Sequence, residues 1–194
     1  MKNLSRMVAA VVALVATASL ATAAPSNWNV DPVHSEVAFE VSHFFTKVHG
    51  SFPAMQGKIV FDDKDAKNIS VDASVNASSV DTNNERRDGH LKSADFFNVE
   101  KFPTISFKST KVTKVGKTNT YKVEGDFTML GVTKSVVFDA EFFGANGAKA
   151  GFAAKGTINR KDFGMVWNKT LDNGSLMLGD EVTISINLSV DPAK

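Results

Sequence analysis

The stretch "VTISINLSV", Val182 to Val190, sets Val182, Ile184, Ile186, Leu188 and Val190 two apart, with Thr183, Ser185, Asn187 and Ser189 between them. Successive side chains of a strand point to opposite faces, so this spacing predicts a strand with one apolar and one polar face. Ile69, Val71, Ala73 and Val75 repeat the pattern against Ser70, Asp72 and Ser74. The same period predicts strands over 36–43, 56–61, 104–109, 120–128, 133–143 and 149–159, giving eight strands.

Short polar connections join these strands. Asn146-Gly147 gives the strongest hairpin signal and is predicted as a type I′ turn, in which both central residues need φ > 0. Residues 62–68 and 116–119 have turn composition. Parallel neighbours would need long crossovers, so short turns favour an antiparallel up-and-down order. Alternation alone admits either a sandwich or a closed barrel. At eight strands a barrel encloses a lumen just wide enough for side chains or one small ligand.

The segment from Ser79 to Phe102 breaks the pattern, and within it stands "RRDGHLKSADFFNVEKFPTISF", Arg86 to Phe107. Asp81 or Thr82 is predicted to cap a short helix beginning near Asn83, and Ser93 a second one through Ala94, Asp95, Phe96 and Phe97. Pro103 pushes Phe102 into an extended conformation and opens the next strand. This helical insertion between the third and fourth strands reads as a lid. Leu91, Phe96 and Phe97 would face the lumen, while Arg87 and His90, three apart on one helix face, would meet a polar ligand head at the rim. The competing reading has Asp88 pairing with Arg86 or Arg87 and pinning the lid to the strands.

Fifteen Phe stand against one Tyr and two Trp, and Phe brings apolar area without a polar atom that needs a partner when buried. Phe39, Phe107, Phe127, Phe138 and Phe152 fall on the apolar faces of separate strands and are expected to converge inside. Val41, Phe52, Val71 and Met129 extend that apolar wall. Such residues are ordinary core in a filled barrel and ligand contacts in an incompletely filled one.

Met1 to Arg6 carry Lys2 and Arg6, an apolar run follows from Met7 to Leu20, and Ala21, Thr22 and Ala23 end it. That order predicts a secretory signal peptide cleaved after Ala23, leaving 24–194 as one domain. The run is short for a membrane span, which needs ~20 apolar residues. Its removal takes the formal charge from +1 to −1, so nucleic acid, which requires a dense basic face, is not an expected partner. Cysteine is absent, which excludes disulfides, zinc-thiolate sites and thiol catalysis. His34, His43, His49 and His90 show no His-Glu-x-x-His or related spacing, and neither Gly-x-Ser-x-Gly nor a phosphate-cradling loop occurs. No catalytic residue, metal or cofactor is expected from these patterns.

The chain resembles the YceI-like, polyisoprenoid-binding family of secreted bacterial proteins through "DPVHSEVAFEVSHF" at Asp31–Phe44, "SVDTNNERRDGHLKSADFFNVEKFPTISFKS" at Ser79–Ser109, "GDFTMLGVTKSVVF" at Gly125–Phe138 and "NRKDFGM" at Asn159–Met165. The resemblance implies an all-β, lipocalin-like eight-stranded antiparallel barrel holding an isoprenoid, a quinone-like lipid or another long-chain amphipathic lipid, with no other cofactor. It also implies a periplasmic or secreted location, no catalytic residues, and a role in carriage or storage, with stress tolerance among the proposed purposes. His34, Arg87 and His90 are the expected head-group contacts on chemical grounds, since the family pattern assigns none. A filled barrel acting as an interaction module and an enzyme acting on such a lipid are the alternatives, and a homodimer is left open.

Overall fold

In the computed structural model, residues 26–193 are described, except Ala54, Asp63, Asp172, Asn173 and Ser175. The expected signal peptide therefore lies outside the described residues. Ten strands form: β1 (Ser26–Val30), β2 (Glu36–His43), β3 (Thr46–Phe52), β4 (Met55–Phe61), β5 (Ser70–Asn76), β6 (Thr104–Val115), β7 (Thr120–Met129), β8 (Val132–Ala145), β9 (Ala150–Asn159) and β10 (Leu178–Pro192). One helix, α1 (Glu85–Lys92), sits in the insertion between β5 and β6.

β10 carries the closure. One edge of it pairs with β9, while the other pairs with β2 through Leu178–Asn187 and with β1 through Val190–Pro192. β1 and β2 are thus two halves of one bent strand laid along a single long partner. β3 and β4 are related in the same way, with the break at Pro53, which has no N–H to give to a ladder. Counted so, ten segments occupy the eight positions of an antiparallel up-and-down barrel, in the order β1-β4-β5-β6-β7-β8-β9-β10 and back to β1.

Local chemistry explains the turns. The β7–β8 hairpin closes on Leu130-Gly131, with φ of 54° and 74°, the positive pair a type I′ loop demands. Asn146-Gly147 does not form that turn, because only Gly147 has a positive φ. There the loop is longer, and Asn146 Oδ1 instead accepts from the backbone N–H of Ala148 and Lys149 at 3.0 and 2.8 Å. An Asn side chain that folds the loop by itself makes the tight turn unnecessary.

α1 begins two residues later than expected, at Glu85. Asn84 is its cap, accepting from Arg87 N at 3.0 Å, whereas Asp81 holds Asn83 N at 2.7 Å and Thr82 is buried. Ser93 ends α1, and residues 94–97 form a turn, not a second helix, closed by Phe96 N and Asn98 N on Ser93 O. This insertion fills a gap in the barrel. β4 pairs with β5 along Met55–Val60, but β3 meets that side of the sheet, among the described residues, through the single bridge of Ser51 to Asp81.

The break between β1 and β2 is held by charge. Asp31 is 8% exposed, accepts from Val33 N at 3.0 Å, and contacts Lys149 Nζ at 2.8 Å and His34 Nδ1 at 2.7 Å. Those contacts, Lys149 first and His34 second, hold its carboxyl well below the usual carboxylate range. A depressed folded-state pKa stabilises the fold above the unfolded value of about 4, and that contribution fades as the pH falls further. Asp31→Asn is therefore expected to lower the melting temperature at pH 7, with the gap to wild type narrowing below about pH 4; thermal unfolding followed against pH checks it.

Candidate functional site

The interior of the barrel is divided. At one end Phe61 of β4, Tyr121 of β7, Phe142 of β8 and Phe152 of β9 pack ring against ring, with Phe61 centroids 4.3 Å from Phe142 and 5.3 Å from Phe152. At the other end lies a cavity of about 250 Å³. Val37, Phe39 and Val41 of β2 lie beside their ladder partners Ile186, Ile184 and Val182 of β10 on one side of it, so the alternation that defines the strands also builds the wall.

Most of the expected residues meet here. Phe39, Val41, Phe52, Phe107, Phe127, Met129 and Phe138 line the cavity from the strands, and Leu91, Phe96, Phe97, Arg87 and His90 line it from the insertion. Three others lie elsewhere. Phe152 points inward but belongs to the packed end, and Val71, paired with Ile59, also sits outside the lining. His34 is committed to Asp31 at the strand break, with its side chain 66% exposed.

What keeps the lumen open is the position of three rings. A Cβ placed on Gly50, Gly125 or Gly156 would stand 2.4 Å from Phe39, 2.5 Å from Phe107 or 2.7 Å from Phe138 respectively. Each phenylalanine lies across a glycine of the neighbouring strand, and its ring covers the wall instead of crossing the lumen. Phe107 and Phe138 then meet edge to face at 5.2 Å.

The insertion is fastened by Thr82, 4% exposed, through both members of the Arg87-Asp88 pair. Arg87 donates from Nε to Thr82 Oγ1 and from Nη2 to Thr82 O, both at 2.7 Å, while Asp88 Oδ1 accepts from Thr82 N at 3.0 Å and from its hydroxyl. The pinning role suggested by the sequence is present, but the partner is a threonine and not an arginine. His90 Nε2 lies 2.8 Å from Asp95 Oδ2, and its ring contacts Phe96 and Trp167 edge-on, both at 5.0 Å.

Sequence reasoning missed Arg160, Trp167, His43 and Met177, which also line the cavity. Arg160 is 1% exposed, and its guanidinium donates to the carbonyls of Gly179, Met165 and Trp167 at 2.7–2.8 Å and to Asp180 at 3.2 Å. Burial pulls its pKa down, and the Asp180 carboxylate offsets part of that. One side chain thereby ties the loop after β9 to the start of β10. The quoted motif Asn159–Met165 held this residue, but a buried arginine has no periodic signature. Among the described residues no group of three or more His, Asp or Glu could hold a metal, and no helix is long and apolar enough to cross a membrane.

The YceI-like domain profile matches residues 28–190, from β1 to the end of the inward set on β10. The chain belongs to the YceI-like family. A UPF0312 protein of Pectobacterium atrosepticum is 37% identical over 181 residues, covering 90% of this chain and 91% of that one. A UPF0312 protein of Staphylococcus aureus is 37% identical over 164 residues, covering 81% and 92%. Among solved YceI-like structures, that of the Campylobacter jejuni YceI protein superposes with a TM-score of 0.68 at 30% identity, over 77% of this chain and 88% of that one. A polyisoprenoid binding domain from Saccharophagus degradans shares the fold at a TM-score of 0.67 and 14% identity, over 86% and 98%.

The glycine contacts generate a test. Gly156→Val is expected to cost about 1–3 kcal/mol and to turn Phe138 into the lumen. Denaturant unfolding reads the first effect, and reduced uptake of an apolar fluorescent dye reads the second.

Proposed function

We propose that this protein binds an isoprenoid or related long-chain amphipathic lipid in the hollow half of its barrel, and carries or stores it after export to the periplasm or beyond. The observation that supports this most directly is the cavity itself: a mainly aromatic and aliphatic wall, in which Arg87, His43, His90 and Arg160 are among the few polar side chains. The volume of about 250 Å³ falls just below the range of about 300–1,000 Å³ usual for ligand sites, so it has room for one chain at most. The polyisoprenoid-binding name of the Saccharophagus degradans domain, a neighbour in fold, agrees with that choice of ligand.

Transfer of hydrocarbon from water contributes about 0.8 kcal/mol per CH₂. Ordering a flexible chain reduces this toward about 0.3 kcal/mol per heavy atom for larger ligands. A branched tail therefore needs no directed hydrogen bond along its length, and this wall offers almost none. The enzymatic alternative is disfavoured because both arginines on the lining are already engaged: Arg160 by three carbonyls and Asp180, Arg87 by Thr82. The cavity likewise disfavours a barrel filled solid by its own side chains.

The amino-terminal stretch, read as a cleaved export signal, supplies the compartment in this reading. A water-insoluble chain crossing an aqueous space must travel inside an apolar container.

Phe127→Glu places a carboxylate in the wall and is expected to abolish lipid retention while leaving a folded protein; mass spectrometry of the organic extract from detergent-free preparations measures it, and undiminished lipid would count against a luminal site. Arg87→Ala is expected to weaken capture of alcohols and of plain hydrocarbons alike, because its guanidinium holds Thr82. A loss confined to ligands with a polar head, measured by competition with an apolar dye, would give Arg87 a head-group role instead.

A further inference from the structure

Four large apolar side chains stand exposed at the mouth end of the barrel: Phe44 and Phe45 at the tip of the β2–β3 hairpin, and Val166 and Leu176 in the segment between β9 and β10. Phe45 is 95% exposed, the highest value among the large apolar residues described. Scattered single apolar residues on a surface need no explanation, but a group ringing a cavity does.

The chain links this surface to the interior three times over. Phe44 follows His43, Val166 precedes Trp167 and Leu176 precedes Met177, and in each pair the second-named residue lines the cavity while the first faces out. The backbone N–H of Phe44 donates to Met177 O at 2.8 Å, which stitches the hairpin tip to the residue before β10, the neighbour of β2. The tip is also chemically odd. Phe44 has φ of 53°, a region a bulky side chain enters at a cost, in a two-residue loop where Asn-Gly is the inexpensive solution. That cost is not repaid by burial, since Phe44 remains 48% exposed.

We infer that this end docks onto the surface of a lipid bilayer, with Phe44, Phe45, Val166 and Leu176 entering its apolar boundary, and that the cavity draws its chain from the membrane beneath. The inference rests on the lipid-binding reading above. A bilayer fits better than a second copy of the chain, because a tail moving from membrane to cavity must avoid water and a mouth sealed by another protomer would block its entry. Lys47 pairs with Glu40, and Asp180 is shared between Lys161 and Arg160. Docking is carried mainly by apolar insertion, with anionic lipid a minor contribution.

The test uses the mature protein with phosphatidylcholine vesicles, with and without phosphatidylglycerol, carrying dansyl-labelled geranylgeraniol. Wild type is expected to co-float with probe-free and probe-loaded vesicles and to extract the probe, with phosphatidylglycerol changing co-flotation by less than about twofold. In the double variant Phe45→Ser/Val166→Ser, co-flotation and extraction rate should each fall by about tenfold or more, while affinity for the probe delivered from cyclodextrin stays at the wild-type level. Phe143→Ser, an exposed phenylalanine away from the mouth, should change neither.

Extraction by the double variant at the wild-type rate overturns the inference. So does a wild-type dimer that the double substitution converts to monomer with extraction unaffected, which would assign the face to a second copy. Failure of wild type to bind the probe from cyclodextrin would instead sink the lipid-binding reading, and co-flotation with probe-free vesicles would still decide docking.

Discussion

The rings of Phe39, Phe107 and Phe138 lie across Gly50, Gly125 and Gly156, and the hollow half of the barrel depends on those contacts. An eight-stranded barrel is narrow enough for its own side chains to fill it. Large aromatic residues would do so if each projected straight inward. A glycine on the adjacent strand offers a recess, so the ring turns sideways and becomes lining. At the other end Phe61, Tyr121, Phe142 and Phe152 converge and pack on one another.

The fold was largely legible because most strands keep a strict period of two. Val182 to Val190 reads as a strand in sequence and is one, and Phe39, Phe107, Phe127 and Phe138 face the cavity as their alternation implies. β3 escaped notice because one of its inward positions is Gly50, whose missing side chain is supplied by Phe39 from β2. β1 carries only Trp28 and Val30 as apolar positions between polar neighbours, too few to establish a period.

The site was legible in part. Alternation says which face of a strand is internal but not which half of the barrel an internal residue occupies. Phe152 and Val71 are set apart from the cavity by register along the ladders, a property of strand pairing that no single segment displays. His34 was drawn away by Asp31, and Arg160 could be found only by knowing which carbonyls the folded loop presents. The insertion joins both lessons. Its polar residues, read as facing a ligand or pinning a lid, turn out to grip the backbone and hydroxyl of Thr82 where β3 and β5 lack a ladder.

Dividing the lumen into a solid and an open part separates two demands that compete in most small barrels. The aromatic cluster at the solid end gives the chain a nucleus that no guest has to disturb. Side chains around the open end are then at liberty to vary in size, because trading one for another alters which guests fit more than whether the chain folds. Such an architecture lets the open end be re-lined while the scaffold is kept.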